Sequence, residues 1–464
     1  MRLKSPWKPR LSGEAQLPCD RLAAALAEDI LDGKLAAGER LPPHRDLAWQ
    51  LGIGLGSVTK AYGMLERRGL VHALKGSGTF VADTGGRKGT VIDLSQNAPP
   101  AVMSERLLAR TLSALARQAE PALFNSYPPV PGHVRFRTGL ARWFGRLGTE
   151  TGPGRLLLTG GAQHALTVCL SMLSGPGSLL LVEAQTYPCL LTLARYCGVR
   201  LAAVAMDGEG MMPEALDRAL LAAGPGVQAS VYLMPTMQNP VATCMSRARR
   251  EDILTVCRRH DALIIEDDVY ALGADPSLPS LASLDPERVF YINSLSKTLN
   301  PALRIGGLVV PAAWQERAEA CLYANGLMIS PLSCLVMEHW IMDGTAQTIC
   351  DAIGEEAARR RALAASILGE AMPPHPNLGY HVWLPMADQE AQALAAAARA
   401  LGILVTDPLA TAAAPENGAA GVRLCIGAPA QAELESALKA IAGLLANLRG
   451  TIAGPLAFRR KLRL

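Results

Sequence analysis

Aromatic residues make up only 5% of the 464 residues and charged residues 19%, while half of the sequence is apolar. With so little aromatic surface, alanine and leucine must fill the interior, and a chain of this length has ample core for two or three domains. Long apolar runs are also lacking. No stretch approaches the ~20 residues of a membrane helix, so no membrane span is expected. The first residues, MRLKSPWKPR, have no apolar centre of the kind a secretory signal requires. Acidic residues are missing as far as Gly13, as in a transit peptide, but helical sequence follows so soon that a disordered basic arm is the expectation. The ten cysteines include no C-x-x-C pair, which argues against a zinc site or a disulfide framework, and no metal site is expected. They read as reduced, mostly core, thiols of a cytoplasmic protein. No internal repeat is present.

What charge there is lies unevenly. Residues 1–83 hold 12 Lys and Arg against 9 Asp and Glu, and the remainder is close to balanced, so most of the net +4 sits in the first fifth of the chain. Leu22, Leu26 and Ile30 recur every four residues on a helix predicted to stop at Gly33. After GKLAAGERLPP a short helix is predicted from about His44 to Leu51, a turn at Gly52, and a longer helix from about Gly56 to Arg68 with Val58, Ala61, Tyr62 and Leu65 inward. Leu70 to Val81 then alternates into a hairpin around Lys75-Gly76-Ser77-Gly78. Short helix, glycine turn and longer helix is a helix-turn-helix pattern, whose second helix enters the major groove of duplex DNA. A small helical packing module is the other reading of these pieces.

The ordered strings LAAGERLPPHRDLA, LGIGLGSVTKAYGMLERRGL and KGSGTFVAD resemble the winged helix-turn-helix of GntR-type bacterial regulators. The resemblance implies that Arg45, Ser57, Thr59 and Lys60 face promoter DNA, with Lys75 and Gly78 on the wing. Many members carry arginine where this chain has Leu55, which cannot make an arginine-to-guanine or arginine-to-phosphate contact.

From Thr84 to Thr90, TGGRKGT reads as a short flexible linker. Beyond it, apolar strand-like runs alternate with helical segments such as Glu214–Ala223 and Arg247–His260, the pattern of a mainly parallel sheet. A helical segment from Ala312 to about Trp340 leads to a smaller domain. That domain has strands at His381–Leu384 and Val422–Ile426 and helices at about Gln389–Leu401 and Gln431–Leu448. The basic end, FRRKLRL, reads as a solvated tail.

The chemistry clusters where apolar runs end. VFYINSLSKTLNPALRIGGLVV, from Val289 to Val310, reads as a strand, a polar turn and a second strand. Lys297 there can form a Schiff base with an aldehyde, and Ser294, Ser296 and Arg304 can hold a dianionic phosphate. In LLLTGGAQHAL the amides of Gly161, Ala162 and Gln163 open a helix, a second phosphate-binding feature. Asp267 ends the run ALIIE with Tyr270 three residues on, and a carboxylate so placed suits a pyridinium nitrogen. Asn239 follows Ala229–Met234, and Tyr187 follows Leu179–Val182. Open α/β sheets bind ligands at such strand ends.

This ordered set resembles the fold-type I aminotransferases, which use pyridoxal 5'-phosphate, over roughly Ile92 to Leu448. The resemblance implies that Lys297 is the Schiff-base lysine, that Asp267 partners the ring nitrogen, that Asn239 and Tyr270 bond the ring hydroxyl and that Tyr187 stacks on the ring. Phosphate would be held by Gly161, Ala162, Gln163, Ser294, Ser296 and Arg304, with Tyr127 reaching over from a second subunit. Arg423, in GVRLCIG, would bind a substrate or effector carboxylate. Gln185 stands where many relatives have proline, which leaves the local turn open. The union of both halves resembles the MocR subfamily of transcriptional regulators, and implies a chain of several parts. These are a winged helix-turn-helix over 1–83, a linker over 84–90, and an aminotransferase-like α/β domain over 91–464, with a large subdomain to about 340 and a smaller α+β subdomain over about 341–450. It further implies a head-to-tail homodimer and a bacterial, cytoplasmic regulator that senses pyridoxal phosphate or an amino compound joined to it. A working aminotransferase of the aminoadipate or aromatic type, and a regulator whose pocket is only structural, remain open.

Overall fold

The structure is a computed structural model whose described residues are 7, 17–31, 34–35, 38–67, 70–74, 78–81, 91–118, 120–175, 177–224, 226–272, 275, 277–373, 379–418 and 420–460. Gly33, Lys75, the linker 84–90 and the last four residues lie outside them, as does most of the basic N-terminal arm. Packing divides the chain into two compact units, Met1–Val91 and Ile92–Leu464.

The first unit contains α1 (Pro18–Leu31), α2 (His44–Leu51), α3 (Leu55–Arg67), β1 (Val71–Leu74) and β2 (Gly78–Val81). The four-residue recurrence works as expected: Leu22, Leu26 and Ile30 of α1 are buried in one cluster with Val58, Ala61, Tyr62 and Leu65 of α3. Each of these Leu, Ile and Val side chains contributes about 1.5–3 kcal/mol relative to exposure. Gly52 ends α2 in the left-handed conformation (φ 63°), and the Ile53 amide then reaches back to the Ala48 carbonyl at 3.1 Å. That sharp turn sets α3 at an angle to α2, and β1 and β2 form the antiparallel wing with Val71 opposite Val81. One expectation fails here. Trp7 is not part of a disordered arm: its ring is buried in the small core and its indole N–H donates to Asp29 Oδ2 at 2.9 Å.

The second unit is built on a seven-stranded sheet. Its strands lie in the order Leu156–Thr159, Gly306–Val309, Val289–Ser294, Leu263–Asp267, Ala229–Leu233, Leu179–Glu183 and Arg200–Val204. All pairings are parallel except the two made by Gly306–Val309, which runs against both neighbours. Strands buried on both faces need continuous apolar runs, which is what LLLT, ASVYL and LIIED supply. The polar turn expected between Ile292 and Gly306 is partly helical, with one turn over Leu295–Thr298 and another over Pro301–Leu303.

Two further expectations are corrected. The helix predicted from Ala312 to Trp340 is broken: Gln315–Gly326 ends, Leu327 takes a positive φ of 54°, and Pro331 opens a new helix to Met342. A proline suits the first turn of a helix but not its interior. A 24-residue helix, Thr345–Leu368, then follows. In the smaller lobe His381–Pro385 pairs antiparallel with Gly421–Cys425, opposing Trp383 to Arg423. Ile92–Leu94, placed by the sequence reading with the large lobe, pairs in parallel with Ile403–Val405.

Candidate functional site

The strand Leu156–Thr159 feeds Gly160 and Gly161, where the helix Ala162–Leu173 begins. Gly161 has φ 91° and ψ 174°, a conformation that L side chains rarely adopt, and a Cβ there would stand 3.1 Å from the Arg304 guanidinium. Arg304 donates to the Gly160 carbonyl at 2.9 Å and is itself held in the left-handed region (φ 50°). Behind them Gly306 lies against the Gly161 backbone, since a Cβ on it would be 2.8 Å from the Gly161 carbonyl carbon. Gly306 of RIGGLVV thus permits its backbone to touch that of Gly161. The helix start leaves the amides of Ala162 and Gln163 without intrahelical acceptors.

Ala162, Gln163, Tyr187, Asn239, Asp267, Tyr270, Ser294, Ser296, Lys297 and Arg304 line one cavity of about 190 Å³. Gly161 does not line it and directly precedes Ala162, which does. Arg423 does not line it but is joined to it: its Nη1 donates to Asn239 Oδ1, its Nε to Thr406 Oγ1 at 3.0 Å and its Nη2 to the Ser95 carbonyl at 2.9 Å. Tyr127 is 76% exposed and does not line the cavity. The turn in doubt at Gln185 is held without proline, because Thr411 donates to the Gln185 side chain at 2.8 Å and Gln238 to its carbonyl at 2.7 Å.

Burial sets the electrostatics. The Lys297 amine donates to the Asn97 carbonyl and stands 5.6 Å from the centre of the Tyr270 ring. Burial lowers its pKa from 10.5 to about 8. Asp267 is raised from 3.8 to about 6, again by burial, although Tyr232 donates to its Oδ2 at 2.8 Å. Its Oδ1 is buried with no partner at hydrogen-bond geometry, the Val269 amide only stabilising the charge from nearby. His381 is pushed down to about 3 by burial and then by the Arg423 charge, so it is neutral between Asn97 Nδ2 and the Gln238 carbonyl. Burial raises the Tyr270 phenol, which stays protonated while accepting from Asn97 Nδ2 at 2.7 Å.

Several of these residues escaped the sequence reading. Asn97 sits in the irregular stretch SQNAPP, which has no periodicity to single it out. Tyr232 had a usable signal, a phenol in the buried run ASVYL, where Ser230 supplies the other hydroxyl. Ser95, Thr406 and His381 carry no local mark.

In the first unit Arg45, Thr59 and Lys60 are exposed and Ser57 is half-buried. Lys75 lies outside the described residues. Gly78 is covered: a Cβ there would meet Arg40 Nε at 2.7 Å, so the exposed Arg40, which the sequence reading overlooked, provides the side chain at that point of the wing.

Residues 89–441 match the family of class I and II aminotransferases, and residues 18–81 match the gntR family of bacterial regulatory proteins. The chain belongs to the class I and II aminotransferase family, in the MocR-type branch that carries a gntR-type helix-turn-helix domain ahead of it. It is 30% identical over 408 residues to the vitamin B6 salvage pathway transcriptional repressor PtsJ of Salmonella typhimurium, covering 85% of this chain and 91% of that one. It is 29% identical over 372 residues to the probable rhizopine catabolism regulatory protein MocR of Rhizobium meliloti, covering 72% and 74%. An archaeal alanine:glyoxylate aminotransferase shares the fold with a TM-score of 0.69 at 22% identity, over 84% of this chain and 94% of that one.

Proposed function

We infer that this protein is a DNA-binding transcriptional regulator whose larger unit senses pyridoxal 5'-phosphate, or an amino compound that combines with it. The observation that carries the inference is the union, in one chain, of a gntR-type domain and an aminotransferase-class unit whose cavity is lined by Lys297, Asp267, Asn239, Ser294, Ser296 and Arg304. The relative of which this chain spans 91% is titled a repressor of vitamin B6 salvage, which supports regulation over catalysis.

The cavity fits this cofactor. The unpartnered Asp267 Oδ1 is suited to a protonated ring nitrogen, and Ala162, Gln163, Ser294, Ser296 and Arg304 of the lining, with the neighbouring Gly161 amide, would supply donors to a phosphate. Asn239 uses its side-chain oxygen on Arg423 and keeps its N–H for a ring oxygen, while Tyr270 accepts from Asn97 and keeps its O–H. Tyr187 would stack on the ring. When bound, the cofactor supplies an aldehyde that condenses with primary amines beside an electron-withdrawing ring. At pH 7 a lysine titrating near 8 is about one-tenth neutral, far more than an ordinary lysine, so Lys297 is readied as a nucleophile. Arg423, oriented by Ser95, Thr406 and Asn239, would hold the carboxylate of an amino-acid effector.

The exposed Tyr127 would complete the phosphate site of a second copy in a head-to-tail homodimer. A regulator of promoter DNA would act in the bacterial cytoplasm, and among the described residues no helix is long and apolar enough to cross a membrane. A working aminotransferase of the aminoadipate or aromatic type is the second reading, favoured by the joint presence of Lys297, Asp267 and Arg423.

Borohydride reduction of protein loaded with pyridoxal phosphate, followed by peptide mapping, should label Lys297. Operator affinity should change with the cofactor or a candidate amine, and that ligand should bind correspondingly tighter or weaker when operator is present, because coupling is reciprocal. Transaminase turnover above about 1 per second, with DNA affinity indifferent to every ligand, would overturn the regulator in favour of the enzyme.

A further inference from the structure

The recognition helix of a helix-turn-helix domain turns the side chains of its N-terminal end toward base edges. Here that end is the start of α3, and its first turn, Leu55-Gly56-Ser57-Val58, has no charged group. Leu55 is 43% exposed, a large apolar side chain outside the core. Glycines flank it on both sides, and a Cβ built on Gly54 or Gly56 meets nothing within 4 Å. A single isobutyl group therefore stands on otherwise bare backbone. Thr59 lies one turn further along the same stripe. Its hydroxyl donates to the Leu55 carbonyl at 3.1 Å and lies 3.2 Å from His44 Nδ1, so its polar atom is engaged within the protein and its methyl is left for an outside contact. The first cation on the helix is Lys60.

Guanine offers two acceptors in the major groove, and cytosine and adenine also ask for polar partners. Thymine alone among the bases presents an apolar group there, its C5 methyl. We propose that Leu55, with the Thr59 methyl beside it, reads a thymine methyl, so that each operator half-site carries an A·T pair where an arginine at this position would read guanine. Arg45 follows His44, which meets Thr59, and Lys60 follows Thr59; both are exposed and would supply the sequence-independent attraction to phosphates beside the apolar stripe. The proposal rests on the regulator reading and adds to it the base class that the helix recognises.

The test begins by selecting operator duplexes from random sequence with the full-length protein at low salt. Affinity for the selected duplex is then measured by fluorescence anisotropy with each thymine in turn replaced by deoxyuridine, which removes only the methyl. One thymine per half-site should lose about fourfold in affinity, the factor expected for one buried methyl. Leu55→Ala should bind the parent duplex more weakly and no longer distinguish thymine from uracil there, with an unchanged thermal midpoint because Leu55 is outside the core. Repeating the selection with Leu55→Arg should recover guanine at that position. An operator whose affinity ignores every thymine replacement, or a Leu55→Ala protein that keeps the discrimination, overturns the proposal and leaves the regulator reading standing. If no sequence is enriched at all, both fall.

Discussion

Lys297 and Asp267 are opposite charges that the fold has taken out of water, and each is displaced toward its neutral form. Between about 8 and 10.5 the folded protein binds fewer protons at Lys297 than the unfolded chain does, so stability rises with pH across that window. The penalty from this group is complete below pH 8 and absent above 10.5. Lys297→Met in the cofactor-free protein should therefore stabilise it at pH 7 by on the order of 3 kcal/mol, a gain that fades as pH approaches 10.5. Urea unfolding at the two pH values measures this, and an equal gain at both would show that packing rather than charge is responsible. Asp267 acts in the opposite sense: from 3.8 to about 6 the folded state binds more protons, so its contribution to stability falls as pH rises through that range. Lys297, Asp267, Asn239 and Tyr187 were legible in the sequence because each follows within a few positions an apolar run of strand length. Asn97 was not, since it meets Lys297 across 200 positions of chain.

Among the elements, the strand Gly306–Val309 and the helix Thr345–Leu368 show how one residue type takes opposite values in different settings. A Cβ at Gly306 would press on the Gly161 backbone at 2.8 and 2.9 Å, and backbone cannot move aside as a side chain can. Gly306→Ala should destabilise the protein by about 1–3 kcal/mol and weaken its hold on pyridoxal phosphate, as read by cofactor titration. In the interior of the long helix Gly354 has nothing within 4 Å of a built Cβ. Gly354→Ala should stabilise by about 0.5–1 kcal/mol, and denaturant midpoints of the two variants should move in opposite directions. Six of the seven sheet strands were readable from their apolar runs, whereas the edge strand Arg200–Val204, more exposed and opening on arginine, was not. The break after Gly326 was signalled by Asn-Gly and by Pro331, but a continuous helical composition across it concealed the stop.

The whole molecule comprises two units with separate buried clusters, so each has the means to unfold cooperatively by itself. Calorimetry of the full chain should show two transitions. Pyridoxal phosphate at a hundred times its dissociation constant should stabilise the larger unit by about 2.7 kcal/mol, and operator DNA should raise the transition of the smaller one. A single transition moved equally by either ligand would show that the units do not unfold independently.

The sequence by itself determined the order of the parts and the local chemistry: a helix-turn-helix pattern, then apolar strand-like runs followed within a few positions by polar residues such as Asp267, Asn239 and Tyr187, with Lys297 between two serines and Arg304. Those features depend on periodicity and on neighbours a few positions away, which a reader of the chain can see. Tertiary structure alone decided that Ile92–Leu94 joins the C-terminal lobe, that Tyr232 and Asn97 serve Asp267 and Lys297, and that Arg423 is held by Ser95 and Thr406. It also decided the titration of Lys297 near 8 and Asp267 near 6, because desolvation depends on what surrounds a group in space and no stretch of neighbouring residues contains that information.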